Sequence, residues 1–117
     1  MNKRKEAWAI RLMMFTENLS TDYPAWEIYK KVLDGPSTSI TDNVNISVAE
    51  NGPLRASLRV ERTAGDSKFV QYIALTDGAE DDRIEISNEI DWQGKKVLLK
   101  AEFPTTVSNE KAAYDLG

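Results

Sequence analysis

Residues 54–61 read LRASLRVE, and an apolar side chain stands at every second position of this segment. Three further segments alternate in the same way: residues 44–48 (VNISV), 84–92 (IEISNEIDW) and 97–103 (VLLKAEF). A period of two places the apolar set on one face of a β-sheet and the polar set on the other. Each segment is therefore predicted to be a half-buried strand. Trp92 continues the apolar set of its segment and is predicted to lie in the core.

Two other segments add strands to this set. Residues 68–75 (KFVQYIAL) carry apolar side chains on both sides, which is typical of a strand in the interior of a sheet. Residues 7–17 fit either a strand or a short helix, and the spacing of Ile10, Leu12 and Met14 favours a strand. The sequence thus predicts about six strands.

Turn-forming residues separate the alternating segments. Asn51-Gly52-Pro53 is a strong hairpin signal, and residues 64–66 (AGD) and 77–78 (DG) mark the next two connections. Residues 93–96 (QGKK) are predicted to form another tight reversal. Short strands joined by reversals favour an all-β fold, an antiparallel β-sandwich, as one domain over residues 1–117.

The segment between the first strand and the alternating region is less regular. Residues 23–30 are predicted to form a turn followed by one helical turn. Residues 34–39 (DGPSTS) are rich in turn-forming and small polar residues, so they are predicted to be a loop.

The composition excludes several classes of function. The 117 residues include no histidine and no cysteine, which removes Ser-His-Asp triads, cysteine nucleophiles and the usual zinc ligands. The net charge is −4 and the basic residues are interleaved with acids, so no nucleic-acid partner is expected. No apolar run approaches the ~20 residues that span a bilayer, and no export signal is recognised. We expect a cytoplasmic chain without catalytic, metal-binding or cofactor-binding residues.

Three groups of side chains are candidate sites. Tyr23 and Trp26 are the candidate sugar contacts, although aromatic side chains that pack beneath a turn are the favoured explanation. Residues 77–82 contain four acids around Gly78, which is more typical of a solvated hairpin tip than of a calcium loop. Glu85 and Glu89 lie on a predicted open strand rather than in a cleft, so they are not expected to act as a glycosidase pair.

Five phrases in series resemble one family. They are DYPAWEI (residues 22–28), GPLRASLRV (52–60), QYIAL (71–75), RIEI leading to IDW (83–92), and LLKAEFP followed by AYDLG (98–104 and 113–117). Their order and spacing are similar to the central β region of glycoside hydrolase family 38 α-mannosidases. The resemblance extends from about Leu12 to the C-terminus, and residues 1–11 match poorly.

The resemblance implies a non-catalytic part of an enzyme. Members of that family are retaining, zinc-dependent enzymes that hydrolyse terminal α-linked mannose of oligosaccharides. Their aspartate nucleophile and their His/Asp zinc ligands come from an N-terminal α/β domain and the linker after it, and no residue of this chain matches those motifs. The resemblance therefore implies a scaffold segment that packs against the catalytic α/β domain and against further sandwich strands following Gly117. An incomplete sandwich of this kind is expected to form a homo-oligomer on its own.

Two other classes of protein remain open. A free-standing carbohydrate-binding β-sandwich module would stack sugars on Trp8, Tyr23, Trp26 or Trp92. An interaction domain would instead bind a partner protein through an exposed edge of a sheet.

Overall fold

The computed structural model describes residues 11–16, 23, 26–78, 83–111 and 113. In these ranges the chain forms seven strands and one short helix. In chain order they are β1 (Arg11–Phe15), α1 (Lys30–Leu33), β2 (Ser37–Ser39), β3 (Asp42–Asn51), β4 (Arg55–Ala64), β5 (Ser67–Thr76), β6 (Glu85–Asp91) and β7 (Leu98–Glu102). No helix of the described part of the chain is long and apolar enough to cross a membrane.

The strands form two antiparallel sheets. The large sheet has the order β3-β4-β5-β6, and the small sheet has the order β2-β1-β7. This arrangement confirms the prediction of an all-β antiparallel sandwich. It also confirms that the segment with apolar residues on both sides, β5, is an interior strand of its sheet.

Alternation and turn chemistry explain the large sheet. In the β4–β5 hairpin, Val60 pairs with Gln71, Leu58 with Ile73, and the intervening pairs point to the opposite face. Gly65 has a φ of 57° in the connecting turn, a conformation that glycine adopts without strain. The register therefore places Val60, Leu58, Phe69 and Ile73 on one face, which we call the apolar face.

The core lies between the two sheets at one end of the apolar face. It consists of the buried side chains of Leu12, Ile40 and Phe69, with Met14, Ala64 and Leu99 packed around them. Leu12 and Leu99 come from the small sheet, whereas Phe69 and Ala64 come from the large one. The small sheet thus covers the part of the apolar face that lies next to the β4–β5 turn.

The N-terminal predictions are partly confirmed. A strand was predicted over residues 7–17, and β1 occupies its middle, whereas residues 7–10 and 17 lie outside the described residues. The predicted turn is present, because the backbone N–H of Glu27 donates to the carbonyl of Tyr23 at 2.8 Å. The helical turn follows at Lys30–Leu33, slightly later than predicted.

The prediction that residues 34–39 form a loop is wrong in its second half. Ser37–Ser39 is strand β2, which pairs with β1 at the edge of the small sheet. Its sequence, Ser-Thr-Ser, has no apolar alternation. Pairing with β1, rather than any local pattern, therefore makes this segment a strand.

The prediction of a tight reversal at residues 93–96 is also wrong. The segment carries the chain from β6 in the large sheet to β7 in the small sheet, so it is a crossing and not a hairpin. A Cβ atom on Gly94 would lie 2.7 Å from side-chain atoms of Trp92 and Val97. Glycine is therefore required by this close packing rather than by a hairpin turn.

Candidate functional site: an open apolar sheet face

Much of the apolar face has no cover in the described structure. Five aliphatic side chains beyond the reach of the small sheet are between 44% and 65% exposed. They are Ile46, Val48, Leu58, Leu75 and Ile84, and we call this surface the open half. A shallow groove of about 310 Å³ runs along it. The sequence predicted that the apolar set of each alternating strand lies on its buried face, and these five side chains depart from that prediction in the described structure.

The opposite face of the large sheet is polar and well paired. Arg55 bridges two strands, because its Nε lies 2.9 Å from a carboxylate oxygen of Glu50 and its Nη1 lies 3.2 Å from one of Glu85. Arg59 contacts Glu61 at 2.7 Å and donates through Nε to the hydroxyl of Tyr72. A face that carries several exposed ion pairs is suited to contact with solvent.

These contacts shift the pKa values of two carboxyl groups. The Ser57 hydroxyl and then the Arg55 guanidinium donate to Glu50 and lower the pKa of its carboxyl below the ordinary 4.5. Arg59, followed by the Asn45 amide, lowers the pKa of Glu61 in the same way. Both carboxylates are therefore held ionised for pairing rather than poised to exchange protons near neutral pH.

Arg62 differs from Arg55 and Arg59 because it lies on the apolar face of the large sheet. It pairs in register with Phe69, and its Nη1 reaches the carbonyl of Ile40 only at 3.5 Å. Its Nε is buried and makes no hydrogen bond to the described residues. Burial lowers the pKa of the guanidinium. The Arg62 guanidinium is therefore a desolvated cation between the two sheets. It cannot act as an acid or a base near neutral pH.

The candidate sugar contacts do form a pair, and it is exposed. The rings of Tyr23 and Trp26 meet edge to face with their centroids 5.2 Å apart. Trp26 is 77% exposed and Tyr23 is also exposed. The favoured expectation that they pack beneath the turn is wrong, because both side chains are largely exposed.

Trp92 is less buried than predicted. It remains 36% exposed and packs edge to face against Phe69 at a centroid distance of 6.2 Å. The ring therefore lies at the border of the core and closes one side of it. Trp8 lies outside the described residues.

The described acidic candidates are not spaced as a glycosidase carboxylate pair. Glu85 and Glu89 lie four residues apart on β6, which corresponds to about 13 Å along a strand and exceeds the ~5–9.5 Å separation of glycosidase carboxylates. Residues 79–82 of the acidic loop lie outside the described residues. Within the described ranges, no group of three His, Cys, Asp or Glu side chains has the geometry to hold a metal ion.

Comparisons with known proteins identify the family. No curated protein and no solved structure matches the chain. One family model, described as the glycosyl hydrolases family 38 C-terminal domain, matches residues 2–117. The match covers nearly the whole chain, includes residues 2–11 that resembled the family poorly, and agrees with the β-sandwich. The chain belongs to the glycosyl hydrolase family 38 C-terminal domain family.

Proposed function

We propose that this chain is a non-catalytic scaffold segment of a cytoplasmic, retaining, zinc-dependent α-mannosidase that removes terminal α-linked mannose from oligosaccharides. The observation that carries the proposal is the uncovered open half of the large sheet in a chain that belongs to a glycosidase domain family. A face of this kind is stable when another layer covers it. The catalytic α/β domain and remaining sandwich strands of the parent enzyme are the proposed partners.

The side chains of this segment explain why we assign catalysis to another part of the enzyme. Zinc in hydrolases is held by histidine together with carboxylates or thiolates, and this chain has neither histidine nor cysteine. Its described carboxylates also form no metal-binding group. The residues present do not fit the zinc ion, so we assign the metal and the nucleophile to another part of the enzyme.

The parentage is tested by the coding sequence that flanks this segment and by the activity of its full-length product. We expect an upstream α/β region with histidine and aspartate zinc ligands, and hydrolysis of an aryl α-mannoside that a chelator abolishes. The 117-residue chain alone is expected to give no turnover with or without added zinc. Turnover that copurifies with the isolated chain would contradict the assignment.

The scaffold role is tested by two neighbouring substitutions in the full-length enzyme. Ile46→Asp places a charge on the open half, whereas Ser47→Asp places the same charge on the polar face one residue away. We expect Ile46→Asp to lower the yield of folded enzyme and its melting temperature, because it buries an unpaired carboxylate between layers. Ser47→Asp is the matched control. Equal behaviour of both variants would exclude the open half as a packing surface.

The exposed aromatic pair supports a second candidate, a carbohydrate-binding module. A ring that is 77% exposed presents a flat apolar surface of the kind on which sugar rings stack. Under this hypothesis a mannose-containing oligosaccharide changes the tryptophan fluorescence of the chain, and Trp26→Ala abolishes the change. The Trp92→Ala variant is the control, and a response that persists without Trp26 would refute this assignment.

A further inference from the structure

We propose that the open half is also a self-association surface, which the open half of a second copy covers when the 117-residue chain stands alone. This inference does not depend on the proposed function. It requires only the position, chemistry and area of the open half. The occupant is a second copy with the same surface, joined through a two-fold axis.

The chemistry of the open half suits an identical partner. Its five defining side chains are aliphatic, and the neighbouring positions on the same face, Ile73 and Ile86, are half-buried and also aliphatic. Beside the open half, the Gln71 amide donates to the Asn88 side-chain oxygen at 2.8 Å, and Arg62 lies at the other end of the face, beside Phe69 in the core. A partner therefore needs neither a counter-charge nor a hydrogen-bonding group to cover this surface, and an apolar surface is sufficient.

The area is adequate for a specific dimer. The five side chains of the open half are 44–65% exposed, so with their two half-buried neighbours they form an apolar patch on the order of 600 Å². Two copies together would bury about 1,200 Å², which is the lower end of stable, specific interfaces. An apolar patch of this size is also at the upper end of what monomers expose.

The small sheet restricts how two copies can meet. It stands over the end of the apolar face that carries Phe69 and Ala64, so two small sheets cannot share the same space between the large sheets. The two-fold axis must therefore run across the strands through the middle of the open half. In that arrangement the small sheets lie at opposite ends of the dimer, and Leu58 of each copy lies close to its own counterpart.

The first test measures the mass of the chain in solution over a range of concentrations by sedimentation equilibrium. We expect a concentration-dependent dimer. Ile46→Glu should weaken association at least tenfold, whereas Ser47→Glu, on the polar face, should leave it unchanged. Circular dichroism reports whether both variants retain their strands, which the exposure of both side chains favours.

The second test uses the absence of cysteine from the chain. Facing sheets lie about 10 Å apart, so a short bismaleimide should join two copies of Leu58→Cys, whereas Ser47→Cys should give no cross-linked dimer. A chain that stays monomeric at all concentrations would overturn the proposal and leave the face to a different partner. A dimer that is unaffected by Ile46→Glu, or that cross-links equally through Ser47→Cys, would overturn it as well.

Discussion

Replacing Phe69 with alanine is the most direct test of how this sandwich is held together. Phe69 is 1% exposed, and it joins the large sheet to Leu12 and Ile40 beneath the small sheet. Truncation of a buried phenylalanine costs about 3–5 kcal/mol of unfolding free energy, because the lost transfer free energy and the remaining cavity add. A domain of this size is stable by about 5–15 kcal/mol, so the variant should be close to unfolding.

Urea denaturation followed by circular dichroism measures this loss. We expect Phe69→Ala to lower the free energy of unfolding by about 3–5 kcal/mol and the melting temperature by at least about 10 °C. Val107→Ala, at an 80% exposed position outside the strands, should change the free energy by less than about 0.5 kcal/mol. A loss below about 1 kcal/mol for Phe69→Ala would show that the small sheet does not close over this residue.

Three further predictions follow from the same structure. Trp92→Ala should cost about 2–3 kcal/mol in urea denaturation, less than Phe69→Ala, because its ring is only partly buried; an equal cost would contradict its border position. Arg62→Met should leave the free energy of unfolding within about 1 kcal/mol of wild type or raise it, since it removes an unpaired buried Nε; a loss of several kcal/mol would reveal a missed partner. The lowered pKa values of Glu50 and Glu61 contribute stability above their unfolded pKa of about 4.5. Melting temperature should therefore fall with pH below that value, and the decline should be shallower when both are replaced by glutamine.

Periodicity was sufficient to predict most strands of the large sheet. Strands β3, β4 and β6 lie where the alternating segments predicted them, and Asn51-Gly52 connects the first hairpin. The reason is physical: alternating apolar and polar residues define the period of a strand and the side chains that share its buried face. The family resemblance was recognised from the same segments and is confirmed by the family model.

Tertiary contacts decided the features that the sequence did not predict. Strand β2 has no pattern of its own and exists because β1 offers it an edge. The crossing at Gly94 has the residue types of a hairpin turn, yet the close packing of Trp92 and Val97 sets its path. The exposure of Trp26 is equally invisible in the sequence, because an aromatic residue beside a turn is compatible with either side of the surface.

The open half illustrates the limit of periodicity most clearly. Ile46 and Phe69 occupy the same face, yet one is 60% exposed and the other 1%. Alternation tells which side chains share a face, but the length of the opposing layer decides which of them are covered. Strands β1 and β7 have five residues each, about 17 Å, whereas β3, β4 and β5 have ten, about 33 Å. Within the described residues, the small sheet therefore covers only about half of the apolar face. This mismatch in strand length is the structural basis on which we propose that a second layer covers the open half.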